Sequence, residues 1–314
     1  MSTYKVGFMK QTASHQLIKH LLLLPALGMV THALAQDNEV TTYRQEVEAW
    51  HQNREDELKK KDGWLSLVGL YWLKEGSNSF GADSSNAIVF PKNFPERQGG
   101  SYMLDKGKIA FHLNNAAIKV SGYNGTDRVI TVGEADRQPV RFAIDGFQWI
   151  IIRRQDKYGL RVWDTNSPAV KQFTGVPRFP VDTAWRIPAR FIAAESEGGP
   201  ILFKNKIGQS FENKAVGKIA FSYKGAPYTL DIISASREGY FIVFGDKTSG
   251  EQTYASGRFI TVDKADDAGN TYIDFNRAIN PPCVFTEYAT CPLPPQSNVL
   301  PVAILAGEKD YHIH

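Results

Sequence analysis

No regular element can run through residues 274–298, DFNRAINPPCVFTEYATCPLPPQSN. Six of the chain's 16 prolines fall in it or just beyond it: Pro281, Pro282, Pro292, Pro294, Pro295 and Pro301. Each fixes a backbone torsion and removes a backbone donor, which excludes a helix interior and a central strand. The stretch also holds both cysteines, Cys283 and Cys291, with Asp274, Asn276, Arg277, Asn280, Glu287, Tyr288 and Asn298 around them. Its aromatics and cysteines argue against disorder. The expectation is a long ordered loop, and such loops in compact domains are usually functional.

The first 35 residues read as a secretory signal. Lys5, Lys10 and Lys19 supply a positive region, residues 21–30 an apolar one, and Ala33-Leu34-Ala35 a small-residue cleavage site before Gln36. The apolar run is broken by Pro25 and Gly28 and is shorter than the roughly 20 residues of a spanning helix. The expected mature chain begins at or near Gln36, is periplasmic or secreted, and has no membrane contact after cleavage. The full chain carries 36 Lys+Arg against 33 Asp+Glu, and the three lysines of the leader account for the excess. A balanced mature charge gives no support for a nucleic-acid partner. Of seven histidines only His51 and His112 lie inside the mature chain away from its end, too few for a histidine-rich metal cage. No metal and no cofactor is therefore expected.

Apolar positions Val40, Tyr43, Val47, Trp50 and Leu58 recur every three or four residues, with Arg54 contributing its stem, and predict an amphipathic helix over 40–61. Lys59, Lys60 and Lys61 favour its C-terminal end, and Asp62-Gly63 stops it. Residues 64–73, WLSLVGLYWL, follow as an apolar core segment. The period then changes to two. Short alternating runs are expected as strands at 87–90, 108–113, 117–121, 128–132, 140–144, 148–154 and 160–163. After a polar connection beginning at Thr165-Asn166-Ser167-Pro168, a second series is expected at 185–193, 201–204, 218–223, 228–233, 240–244, 257–262, 271–274 and 299–306. The fold class this predicts is all-β: two sandwich- or barrel-like units, an N-terminal amphipathic helix and the proline-rich loop. The expected division is 1–35 leader, 36–62 helix, 63–165 first β unit and 166–314 second β unit with the loop.

Two resemblances bear on this. Residues 79–91, SFGADSSNAIVFP, resemble the opening of a forkhead-associated sandwich. Ala82 stands where such domains place an arginine, so the resemblance implies architecture without phosphothreonine reading. FGDKTSG at 244–250, GRF at 257–259 and the 274–298 stretch closely resemble the family known as domain of unknown function 1684. DGWL at 62–65, YGLRVWD at 158–164 and WRIPARF at 185–191 extend that resemblance over nearly all of the mature chain. It implies no reaction, cofactor or catalytic residue.

Cys283 and Cys291 are eight positions apart. In an exported chain a disulfide is the first reading; zinc lacks further ligands, and a catalytic thiol would need a base such as His112. Arg161, Arg190, Arg258 and Arg277 lie at strand ends near Asp164, Asp246, Asp274 and Asn276. Guanidinium forks match carboxylate or phosphate, so an anion site is one reading and structural bridges are the other. A glycosidase-type pair among Asp246, Asp274, Glu287 and Glu308 stays open as well, whereas Ser249 lacks a nucleophile elbow. The expected function is binding of a small anionic ligand in a pocket built from Arg161, Arg190, Asp246, Arg258, Asp274, Asn276, Arg277, Asn280 and Tyr288. The alternatives are a hydrolase using carboxylates of that pocket and a purely structural role. No catalytic residue or oligomeric state can be assigned from the sequence.

Overall fold

Alternating burial along short strands shows how the chain divides its apolar residues between two cores. In the computed structural model residues 3, 23–131, 139–195, 199–206 and 208–311 are described, without the side chains of 23–37 and 129–131. The leader reading falls largely outside these residues, and residues 23–35 form the start of a helix. That helix, α1 (Leu23–Lys59), is longer than the 40–61 expected. Its buried face is Tyr43, Val47, His51 and Leu58, the three-to-four spacing of the sequence.

The first β unit is a sandwich. One sheet holds β1 (Leu67–Trp72), β10 (Lys157–Asp164), β9 (Phe147–Arg154), β8 (Arg141–Ile144) and β6 (Lys119–Val120), in that order. The other holds β3 (Ile88–Val89), β2 (Gly76–Gly81), β4 (Gly100–Asp105), β5 (Lys108–Leu113) and β7 (Asp127–Thr131). Their inward residues share one aromatic core: Phe80, Phe90 and Tyr102 from one side, Phe142 and Trp149 from the other. Trp149 is fully buried, so its indole N–H must find an acceptor, and it donates to Tyr102 Oη at 2.7 Å. Strand β9 is buried on both faces for most of its length, since the end of α1 and the following turn cover its outside through Gln148, which donates to the Lys61 carbonyl.

The second unit follows a short capped helix, α2 (Pro168–Gln172). A four-stranded sheet runs β15 (Ala226–Asp231), β14 (Gly217–Tyr223), β11 (Arg186–Ala193), β19 (Asn270–Asp274). A second sheet runs β16 (Ser234–Ala235), β17 (Tyr240–Phe244), β18 (Arg258–Val262), and β12 (Ile201–Lys204) pairs with β13 (Ser210–Asn213) as a separate hairpin. Ile219, Phe221 and Ile273 meet Ile242, Phe244 and Ile260 across one core. The 299–306 segment, expected as a strand, is irregular instead. Pro301 interrupts it, and its carbonyls at Ile304 and Ala306 accept from the Arg258 guanidinium instead of joining a ladder.

The proline-rich stretch is ordered and built from 3-10 turns at Phe275–Arg277, Pro282–Val284 and Gln296–Asn298. It is also a wedge between the units. Cys283, Ala289 and Cys291 join a cluster with Tyr254 and Trp64, and Phe285 joins Leu58, Leu65 and Val176. Thr286 Oγ1 donates to the Leu67 carbonyl at 3.0 Å, tying the loop to β1.

Candidate functional site

The helix docks on the second unit and leaves a polar cleft along its first exposed turns. Tyr43 donates to the Asp274 carboxylate at 2.8 Å and accepts from Asn276 Nδ2 at 2.9 Å. Burial and the Asp274 charge both raise the Tyr43 pKa, so the phenol stays protonated and keeps donating. Asn276 is itself buried and fixed from below: its amide donates to the Asp182 carbonyl at 2.8 Å, and its own carbonyl accepts from His51 Nε2 at 2.8 Å. Desolvation lowers the His51 pKa, favouring the neutral ring that makes this bond.

Above this floor lies a cleft of about 770 Å³, walled by α1, β11, the 263–270 turn and β19. Arg186 lies over the rings of Tyr272 at 4.4 Å and Tyr43 at 5.7 Å, and makes no ion pair among the described residues. Arg277 reaches Asp274 at 3.6 Å and covers the Trp50 ring at 5.8 Å. The lining holds Glu39, Glu46, Asp263, Asp266 and Asp274 against Arg186, Lys264 and Arg277, so it is mixed in charge with acids in excess. Asp266 is kept below the usual carboxylate range by the Asn270 backbone N–H, the Asn270 amide and the Ala268 N–H.

The sequence-predicted residues do not form one pocket. Asp274 and Arg277 line the cleft, and Asn276 supports it. Arg258 and Asp246 are sealed in the core: Arg258 is fully buried and donates to Asp246 Oδ2 at 2.9 Å, to the Ile304 carbonyl at 3.0 Å and to the Ala306 carbonyl. Asp246 Oδ1 is spent on Thr248 and the Ile304 N–H. Asn280 is buried beside them; its N–H donates to Glu308 Oε2 at 2.6 Å and its amide to the Lys309 carbonyl at 2.7 Å. Arg54, read from the sequence as packing by its stem, and a 1% exposed Glu308, read as a candidate of a glycosidase-type pair, complete this network 3.7 Å apart. These residues act as a clamp because their hydrogen-bonding capacity is turned inward.

Arg190 lies on the same outward face of β11 as Arg186 but four residues further along and outside the cleft lining, donating to the Ala268 carbonyl at 3.0 Å beside an open groove of about 1020 Å³. Arg161 is on β10 in the first unit, its guanidinium over Trp64 at 5.7 Å and its Nε buried without a partner. Burial, then Arg154, pushes its pKa down to about 10. Tyr288 is in the loop near Glu287 and Tyr71, where burial raises its pKa to about 12. The two cysteines are free, buried thiols, with the Cys283 N–H donating to Cys291 Sγ at 3.1 Å, so the expected disulfide is not made in this structure. His112 pairs with exposed Asp127 in the first unit and serves neither thiol.

Sequence reasoning missed Tyr43, Arg186, Asp263, Lys264 and Asp266. Tyr43 was absorbed into an apolar helix face, and Arg186 sits at an outward strand position that periodicity alone reads as solvent-facing. The one signal available was Arg54, a charged residue on the predicted buried face of α1.

Residues 171–309 match the family described as "Protein of unknown function (DUF1684)". The match spans the second β unit alone; it is narrower than the resemblance read from the sequence and leaves the first sandwich outside. An uncharacterized protein of Haloarcula marismortui, known from a solution NMR structure, is similar at 27% identity over 46% of this chain and 80% of its own, with a TM-score of 0.38. Comparison with curated proteins gives no match.

Proposed function

We propose that the DUF1684 unit binds a small polar ligand in the cleft between α1 and β19, with an anionic group of the ligand held by Arg186. The observation that carries this is Arg186 itself: a guanidinium fixed over two tyrosine rings at the mouth of a 770 Å³ cleft, with no ion pair of its own among the described residues. The surrounding carboxylates favour a ligand that also carries donors, such as hydroxyls or an ammonium group. A zwitterion or a sugar acid satisfies both. A hydrolase using these carboxylates is less well supported: Asp274 is occupied by Tyr43, Asn276 and Arg277, and Glu308, which burial raises to about 7, lies in the core away from the cleft.

The test is a titration of amino acids and sugar acids followed by tryptophan fluorescence, since Arg277 covers Trp50 at the cleft wall. A saturable change that Arg186→Ala weakens about tenfold or more, the worth of one charge-assisted hydrogen bond, and that Arg190→Ala leaves intact is the expected result. A response that survives Arg186→Ala, or no saturable response at all, sinks the reading. Export remains part of the proposal, on the basic, apolar and Ala33-Leu34-Ala35 pattern of the first 35 residues. The intact mass of protein from the periplasmic or secreted fraction should then place the N-terminus at or near Gln36, and recovery of only the full-length chain from the cytosol would count against it.

A further inference from the structure

The two thiols lie outside the cleft and have chemistry of their own. Cys283 and Cys291 are held together by the tight wrap of the loop: the Cys283 N–H donates to Cys291 Sγ at 3.1 Å, and Cys283 Sγ lies 3.6 Å from Tyr254 Oη. Lys206, on the turn between β12 and β13, is anchored by its N–H to the Cys291 carbonyl at 3.0 Å and extends its ammonium over the Tyr254 ring at 5.9 Å. The Cys283 thiol thus donates to the Tyr254 hydroxyl, which can turn to donate once the sulfur is a thiolate; the Lys206 ammonium lies over the same ring, and Cys291 Sγ accepts from the Cys283 N–H. A thiolate is the nucleophile in sulfur chemistry, and such partners favour it.

We propose that Cys283 and Cys291 form a redox couple that reduces small hydroperoxides, with Cys283 as the attacking sulfur and Cys291 as the resolving one. The Cys283 thiolate attacks the terminal oxygen of the peroxide, the O–O bond breaks, and the alcohol leaves with the proton that Cys283 released. Cys291 then attacks the sulfenic sulfur of Cys283; the S–S bond forms and water departs. Two thiols and one hydroperoxide become one disulfide, one alcohol and one water, so the peroxide is reduced by the two electrons the thiols lose. The assignment of roles follows from the surroundings. The Cys291 thiol, then Tyr254 and Lys206, hold the Cys283 pKa below the ordinary thiol value, while Cys283 and burial raise that of Cys291. The choice of oxidant follows from access: Cys283 is 8% exposed and Cys291 4%, which excludes a bulky disulfide and restricts the oxidant to a small molecule.

Full-length reduced protein is treated with hydrogen peroxide under native conditions, then alkylated in denaturant and mapped by mass spectrometry. The expected product is a Cys283–Cys291 disulfide that a dithiol reductant reopens in the folded chain. In Cys291→Ser the reaction should stop at a sulfenic acid on Cys283, trapped by a 1,3-dione. Lys206→Met should slow peroxide consumption about tenfold and move the pH midpoint of Cys283 alkylation upward, which a merely structural lysine would not do. Two fully alkylated thiols in wild-type protein after peroxide overturn the proposal. So does a bond that cannot be reduced without unfolding, which marks a structural disulfide, and so does trapping on Cys291 at an equal rate in Cys283→Ser.

Discussion

Arg258 and Arg186 belong to the same β unit, yet one is enclosed and the other presented. Arg258 is 0% exposed, and its guanidinium is met by one carboxylate and three carbonyls. Arg186 is exposed, is oriented by aromatic faces, and pairs with no acid among the described residues. The difference lies in where the donors are spent. A buried guanidinium must have its donors used internally, whereas one stacked on rings is held in position with its N–H groups free for a ligand.

The contrast is most sharply tested at Arg258. Arg258→Ala leaves Asp246 charged, buried and short of a partner, and should lower the unfolding free energy by about 3–5 kcal/mol in urea melts. A loss within about 0.5 kcal/mol would show that the clamp is no more than surface-like.

Next comes the acid behind it. Desolvation raises Glu308 from its ordinary 4.5 to about 7, so the folded chain binds its proton more tightly than the unfolded one. Its contribution is then fully present below pH 4.5 and is lost as pH rises through about 7. The stability difference between wild type and Glu308→Gln should therefore shift by up to a few kcal/mol in favour of the variant across that window. A difference that does not vary with pH would remove Glu308 as the titrating group.

At the cleft the effects become smaller. Tyr43→Phe deletes a hydroxyl that bonds both Asp274 and Asn276, and should cost about 1 kcal/mol in the same melts. Arg186→Ala should change stability by no more than about 0.5 kcal/mol while abolishing the ligand response. If Arg186→Ala proves as destabilising as Arg258→Ala, the two arginines do the same job and the comparison collapses.

The strands with a clean period of two were legible: 108–113, 201–204 and 240–244 coincide with β5, β12 and β17. Strands β2 (GSNSFG) and β4 (GSYMLD) were not, because glycine, serine and asparagine hide their alternation, although Phe80 and Tyr102 in them are completely buried. The ordered, irregular character of the loop followed from its prolines. Its destination did not. Proline restricts local torsions but carries no information on which distant surface a side chain meets, so Asp274, Asn280 and Cys283 looked like one constellation and lie in three environments. Partner counts decide between clamp and site, and in a β fold partners are remote in sequence.

The position of α1 also bears on the order in which the molecule can form. Tyr43 meets Asp274 at a separation of 231 residues, and Arg54 meets the Asn280 carbonyl at 226. A chain made from its N-terminus completes this helix first and its docking surface last. Contacts of such long range slow folding, because the loop between them must be closed before they contribute. Until residues 274–280 have been synthesised, the stripe of the helix that carries Tyr43, His51 and Arg54 lacks these partners, and a lone helix of this kind is held together weakly. Nascent chains should accordingly expose that stripe to holding chaperones until the C-terminal segment arrives, so helix docking marks the completion of the fold.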